Sequence, residues 1–199
     1  GQEEISGDLL GNCRRALCLL SLRQVSDDGA EDTADIDSVA EEVRARGRRA
    51  LSIAGDVNDF EGLARLVEQT MDEFGRLDIV INNAGGSRSR PILRTSVEEL
   101  EHSFRFNVSA PFELVRLAAP HMLAAGEGSV INISSVAAKN AVRGNLTHGV
   151  TKAALDALTR LMAAELAPKI RVNAVLPGAI ADAVLSLLTR GELRDRTAA

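Results

Sequence analysis

The sequence predicts an α/β fold in which a doubly wound parallel sheet is covered by helices. From residue 50 onward, short apolar runs alternate with longer segments whose apolar residues recur at three- and four-residue steps. The short runs are apolar at successive positions, which is typical of strands buried on both faces. A sheet of this kind binds ligands at the carboxyl ends of its strands, so the residues after each strand are the first candidates for a site.

Composition narrows the class of protein. The chain has 199 residues, 45% hydrophobic and 26% charged, as in one globular domain. A net charge of -5 and the absence of Tyr and Trp disfavour binding to nucleic acid or an anionic membrane. No apolar run approaches the ~18 residues of a membrane span. Cys13, Cys18 and three scattered histidines match no disulfide framework or zinc pattern, so we expect a cytoplasmic protein without a metal.

Four strands are predicted, because each of four apolar runs is followed directly by polar, Gly or Pro residues. They cover residues 50–54, 77–81, 129–134 and 170–176. The first 36 residues fit the alternation less well, since the stretch from Ser26 to Asp35 is polar almost throughout. We therefore predict an irregular segment over residues 1–36.

Helices are predicted between these strands. Asp59 is placed to cap one helix and Gly75 to end it. A long helix over residues 96–125 begins with a Ser-x-x-Glu capping box at Ser96, and Pro111 and Pro120 predict a kink or break in it. Two more helices are predicted, one that includes residues 39–43 and one over residues 147–167.

Four side chains can converge at the carboxyl edge of this sheet. Ser135 follows the third predicted strand, and Asn107 lies in the long helix. His148 and Lys152 are four residues apart on the next helix and so project from one face of it. Each has a plainer interpretation as well: Ser135 as a turn residue, His148 at a helix start, Lys152 as a solvated lysine and Asn107 as a partner of the backbone.

The motifs around these positions closely resemble the short-chain dehydrogenase/reductase family. GSVINISS at 128–135 is similar to the family's active-site serine strand, and HGVTKAAL at 148–155 to its Tyr-x-x-x-Lys helix with the first residue changed. DIVINNAGG at 78–86 contains its Asn-Asn-Ala-Gly turn. Gly55-Asp56-Val57 and IRVNAVLPG at 170–178 match two further turns. The thirteen-residue step from Ser135 to position 148 is the one that the family uses.

The resemblance implies a Rossmann-like fold and hydride transfer between NAD or NADP and a small-molecule alcohol or ketone. In the family, the serine bonds the substrate oxygen, the tyrosine moves the proton, the lysine contacts the nicotinamide ribose, and the asparagine holds a relay water. Ser135, Lys152 and Asn107 keep these positions, and the resemblance also implies a homodimer or homotetramer through the long helices. The cofactor-binding positions that it implies are Gly7, Gly11, Asp56, Val57, Asn83, Ala84, Gly85, Lys152, Pro177 and Gly178.

The chain also departs from the family pattern. Histidine replaces the tyrosine at position 148, Cys13 replaces the third glycine of the phosphate turn, and Asp182 replaces a threonine. Either Asp35 or Asp37 could bond the adenosine ribose, and Arg88 and Arg90 are interpreted as solvated loop charges.

These departures bear on domain organisation and activity. We expect one domain over residues 1–199 that is incomplete at both ends, with a family-like core at 37–185 and a truncated tail at 186–199. We expect impaired catalysis as well. The alternative is a non-catalytic remnant that acts as a dimerising interaction protein.

Overall fold

The computed structural model describes residues 34–178, with side chains from residue 37 onward. A five-residue π-helical segment, Arg105–Ser109, joins two of the helices, and single 3-10 turns lie at Ile92–Arg94 and Val136–Ala138. The helices and strands are, in chain order, α1 (Ala34–Ala45), α2 (Phe60–Phe74), β1 (Ile79–Asn82), α3 (Val97–Phe104), α4 (Ala110–Ala125), β2 (Gly128–Ile133), α5 (Leu146–Leu166) and β3 (Ile170–Val175).

The strands form a parallel sheet in the order β1-β2-β3, as the alternation predicts. Val80 pairs with Val130, and Val130 with Val172, so these three buried valines form one row across the sheet. Helices α2 and α4 pack with this row into one apolar core. The alternate residues of β1 face the other side of the sheet: Ile79 and Ile81 are 57% and 55% exposed within the described part of the chain. The residues from 34 to 178 thus cover one face of the sheet fully.

The prediction of a strand over residues 50–54 is wrong, because the structure has no strand in this segment. A strand exists only through hydrogen bonds to a neighbouring strand, and among residues 34–178 none pairs with this segment. Its polar groups have other partners instead. The Arg44 guanidinium donates to the carbonyl of Ala50 at 2.9 Å, and the Ser52 hydroxyl donates to Asp37 Oδ1 at 2.8 Å.

The predicted interruption of the long helix is confirmed. Its capping box forms in full, with Glu99 N donating to Ser96 Oγ and Ser96 N donating to Glu99 Oε2. The π-helical segment then begins, and Ala110 N bonds the carbonyl of Arg105, five residues back. Pro111 lies at the start of α4 and has no N–H to give the carbonyl four residues before it. At Pro120 the helix continues without a break.

A buried polar network fixes the register of the sheet against α5. Asn82 Nδ2 donates to Asn132 Oδ1 at 2.7 Å, and Asn132 Nδ2 donates to Thr159 Oγ1 at 2.8 Å. The two asparagines are also register partners in β1 and β2. Because each amide in this low-dielectric interior has a partner, a slip of one residue would leave buried donors unsatisfied.

Between residues 34 and 178, no helix has the length and apolar composition that crossing a membrane requires.

We expect Asn132→Ala to lower the free energy of unfolding by about 2–3 kcal/mol, because the Asn82 amide then loses its buried acceptor. Asn173→Ala is the matched control, since that asparagine lies exposed on β3 opposite Ile131. Urea unfolding followed by circular dichroism measures both. Equal losses of stability in the two variants would contradict a structural role for the network.

Candidate active site

Lys152 lies at the centre of the site, buried on the inner face of α5 with 4% of its surface exposed. Its ammonium donates to the carbonyl of Ile133, the last residue of β2, at 2.7 Å. The hydroxyl of Ser134 in turn donates to the Lys152 carbonyl at 3.3 Å. These two bonds fasten the helix to the carboxyl end of the central strand.

The Asn-Asn-Ala-Gly turn after β1 meets the same lysine. A Cβ atom on Gly85 would lie 2.6 Å from Lys152 Nζ and 3.0 Å from Asn107 Oδ1. A side chain at this position would have to displace the end of Lys152 from its bond to Ile133 O, and the backbone of Gly85 is not in the left-handed region, so the requirement is for space. Gly85, Asn107 and Lys152 are therefore brought together, as the resemblance implies.

Asn107 is fully buried in the π-helical segment. Its side chain accepts from Gly86 N at 3.0 Å and donates to Gly86 O and Ser103 O at 2.8 and 2.9 Å. The plainer interpretation, a side chain that bonds the backbone at a helix irregularity, agrees with these contacts. These bonds hold the turn after β1 at the site.

Ser135 lies where three elements meet. Its hydroxyl accepts from Ala137 N at 3.1 Å and caps the short 3-10 turn that follows β2. The next amide, Val136 N, donates to the carbonyl of Pro177 at 3.0 Å, which brings the Pro-Gly turn after β3 alongside. A Cβ on Gly149 would lie 3.2 Å from Ala137 O, so the start of α5 packs directly against this turn.

His148 stands one helical turn before Lys152 and is half-buried. Burial lowers the pKa of the His148 imidazole below its ordinary value, and the Lys152 charge lowers it further. Burial also lowers the pKa of the Lys152 ammonium, against the opposing effect of the Asp156 carboxylate. At neutral pH the imidazole is therefore mostly neutral, in a form that can accept a proton. The sequence suggests the effect of Lys152, but it could not show that burial is the larger cause.

A cleft of about 110 Å³ opens beside the turn after β1. Val57, Asn83 and Ala84, which the resemblance assigns to cofactor binding, line it together with Phe106 and Pro111. Asp56 lies just before Val57, and its Oδ1 accepts from the backbone N and the side-chain amide of Asn58 at 2.8 and 3.0 Å, so part of this carboxylate serves its own turn.

Several residues with a predicted role in the site lie outside the part of the chain that the structure describes. Gly7, Gly11, Cys13 and Asp182 lie outside the described residues, and the side chain of Asp35 is not described. Asp37 is described, and its carboxylate accepts a hydrogen bond from the Ser52 hydroxyl.

The structure also reveals a contact that the motifs did not predict. The loop after β1 pairs with the loop before α5 through an isolated parallel bridge between Arg90 and Asn145. Its only signal in the sequence is Gly144, whose φ of +78° favours glycine.

Comparison with known proteins identifies the family of this chain. The family model for short chain dehydrogenases matches residues 28–192. The chain belongs to the short-chain dehydrogenase family. An uncharacterised oxidoreductase of Mycobacterium tuberculosis is 44% identical over 161 residues, which make up 80% of this chain and 61% of the relative. A 3-oxoacyl-[acyl-carrier-protein] reductase of Staphylococcus aureus is 32% identical over 169 residues, 84% of this chain and 68% of the relative.

Solved structures of short-chain dehydrogenases have the same fold. A 7α-hydroxysteroid dehydrogenase in complex with NADH and 7-oxo glycochenodeoxycholic acid superposes with a TM-score of 0.78 at 29% identity. The match covers 86% of this chain and 64% of that one. The Rossmann-like α/β fold is thereby confirmed. The chain spans about three fifths of the length of the mycobacterial relative.

We expect Gly85→Ala to destabilise this short-chain dehydrogenase by about 1–3 kcal/mol, because the new methyl group collides with the Lys152 ammonium. In a Lys152→Ala background only the approach to Asn107 Oδ1, at 3.0 Å, remains, and the same substitution should cost less than half as much. Urea unfolding of the four proteins gives this double-mutant cycle. An equal cost in both backgrounds would show that the turn is not packed against the lysine.

Proposed function

We propose that this chain is the core of an NAD(P)-dependent oxidoreductase that interconverts a secondary alcohol and a ketone. The observation that supports this most directly is the cluster at the carboxyl edge of the sheet. There the buried Lys152 ammonium lies against Gly85, which Asn107 also approaches, and bonds the carbonyl of Ile133, two residues before Ser135. His148 stands one helical turn before the lysine, close enough for its pKa to be lowered by the lysine charge. A lysine buried at a glycine-lined turn is costly for stability alone, which favours a functional role.

The described residues fit a nicotinamide cofactor. The cleft beside the turn after β1 is lined by Val57, Asn83 and Ala84, which offer both apolar and polar surface. Lys152 would hold the nicotinamide ribose, and Gly85 leaves room for its ammonium. Pro177 and Gly178 are joined to the Ser135 turn through Val136 N and would border the ring. When bound, the cofactor supplies the hydride acceptor or donor.

The protein's own groups would orient the substrate and move the proton. Ser135 donates a hydrogen bond to the substrate oxygen, and His148 takes the alcohol proton on its neutral imidazole. Lys152 disfavours the protonated imidazole, so the reverse transfer, which needs imidazolium as the acid, is the weaker direction. We infer a slow enzyme biased towards alcohol oxidation.

Exposed apolar side chains on the long helices support self-association. Phe112 and Leu123 on α4 are eleven residues apart, and so are Val150 and Leu161 on α5; each pair shares one helix face. All four are more than a third exposed. We propose a homodimer or homotetramer through these faces. The same surface is what the non-catalytic alternative requires, so cofactor binding decides between them. The cytoplasmic location stays a prediction.

We expect NAD or NADP at 100 times its dissociation constant to stabilise the native protein by about 2.7 kcal/mol, a rise in melting temperature of about 5 °C or more. Lys152→Met should remove most of this rise, because it keeps the stem of the side chain and deletes the ammonium that holds the ribose. Arg171→Gln, which removes one exposed charge near the amino end of β3, should keep it. No shift with either cofactor, together with a stable dimer, would favour the non-catalytic alternative.

We expect His148→Tyr to raise the rate of alcohol oxidation at alkaline pH by about 10²–10⁴-fold, since it supplies the family's proton-transfer group. The pH profile should change as well. For His148 the neutral base forms as pH rises through a pKa held below 6.5, so the rate should be flat above neutrality. For tyrosine, whose ordinary pKa is about 10, the rising limb should move to higher pH. His148→Phe is the control without a hydroxyl, and an equal gain there would contradict this role.

A further inference from the structure

A buried carboxylate, that of Asp156, lies on α5 one helical turn after Lys152. Residues four apart on a helix share one face of it, so the two side chains are neighbours. Only 6% of Asp156 is exposed. Its Oδ2 pairs with Lys139 Nζ at 3.1 Å, and its Oδ1 is buried without a hydrogen-bond partner. A carboxylate in this position lowers the stability of the fold, because it loses hydration that its contacts do not fully replace.

Stability alone does not account for the ion pair between Asp156 and Lys139. Lys139 follows the short 3-10 turn that Ser135 caps, and 59% of its side chain is exposed. An apolar pair of similar size would fasten this turn to α5 at equal or lower cost, because no charge would be removed from water. The carboxylate therefore has a role that an apolar side chain could not fill.

Two opposing influences act on the Lys152 ammonium. Burial lowers the pKa of Lys152, and the charge of Asp156 raises it. The groups that meet the ammonium from other elements, the backbone at Gly85 and the carbonyl of Ile133, carry no charge. Within the described residues, Asp156 is thus the negative charge that opposes loss of the lysine proton.

The elements packed against α5 bring few other charges to this point. Lys139 comes from the turn after β2, and α5 itself contributes His148 and Arg160, which lines the same groove as Asp156. Helix α3 and the π-helical segment also pack against α5. Their charged residues are exposed or have partners of their own, and these are Glu98, Glu99, Glu101, His102 and Arg105.

We propose that Asp156 is a positioning residue for Lys152, whose buried carboxylate holds the lysine in its cationic form at the alkaline pH that favours alcohol oxidation. Lys139 pairs with this carboxylate and neutralises part of its charge, so it limits the effect. The consequence for cofactor binding rests on the proposed function, because the proposed ribose contact requires an ammonium. The electrostatic action of Asp156 on Lys152 does not need the cofactor.

Carbon-13 NMR of the full chain, labelled at the lysine Cε atoms, tests this. The chain has three lysines, Lys139, Lys152 and Lys169, so each Lys→Met variant assigns one signal. We expect the titration midpoint of Lys152 to be about 1 pH unit lower in Asp156→Asn than in wild type, because a nearby negative charge is lost. Asp156→Glu, which keeps the charge, should retain the wild-type midpoint. An unchanged midpoint in Asp156→Asn would overturn the proposal.

A second variant separates charge from packing. Lys139→Met breaks the same ion pair at an exposed side chain but leaves the carboxylate charged, so it should move the Lys152 midpoint to higher pH. Lys169→Met is the matched control, since it removes one exposed lysine charge just before β3 and should leave the midpoint unchanged. If Asp156 acted only by packing, breaking the pair from either side would move the midpoint in the same direction, and that result would overturn the proposal.

Melting temperatures with NAD and NADP connect the effect to cofactor binding. The rise that the cofactor causes should decline as pH passes the Lys152 midpoint, and in Asp156→Asn the decline should begin at lower pH. The same pH dependence in both proteins would count against the proposal. If neither cofactor stabilises wild type at any pH, the proposed function fails, while the NMR titration still decides the role of Asp156.

Discussion

The burial of one ammonium group organises this end of the molecule. Lys152 is removed from water almost completely, and a buried cation is tolerated only where fixed dipoles or charges replace its hydration. Here the replacement is the carbonyl at the end of β2, together with the field of Asp156. The hydrogen bond from Lys152 to Ile133 O fixes the position of α5 along its axis relative to the end of β2. This in turn fixes the position of His148, which lies on the same helix. It also leaves no room for a Cβ at Gly85, so the turn after β1 is constrained by the same group.

The sequence predicted the parts of the fold whose cause is local, and missed those whose cause is a distant partner. Three strands, the capping box at Ser96 and the αL glycine at Gly75 follow from side chains within a few residues, and all are present. The segment 50–54 has the same apolar pattern, yet a strand also requires a neighbour, and within residues 34–178 it has none. Apolar periodicity indicates which residues of a segment are buried, but it does not indicate which other element they pack or pair with.

The same reasoning applies to the site. Spacing alone placed His148 and Lys152 on one helix face, because a helix has a fixed period. It could not show that Lys152 Nζ would donate to the carbonyl of Ile133, since every residue has a backbone carbonyl and the sequence does not distinguish them. Nor could it show that the loop after β1 pairs with the loop before α5, which depends on a bridge between residues 55 positions apart. Contacts made by the backbone are the part of a site that motifs leave unspecified.

The histidine at position 148 and the lysine one helical turn later act on one electrostatic balance. When a neutral imidazole beside Lys152 takes a proton, two cations stand one helical turn apart in a half-buried site, and this cost rises as the local dielectric falls. A tyrosine phenolate would avoid it, because it becomes a neutral phenol on taking the proton. In the proposed oxidation, the charge of Lys152 would therefore limit how strongly a histidine at position 148 can hold the proton.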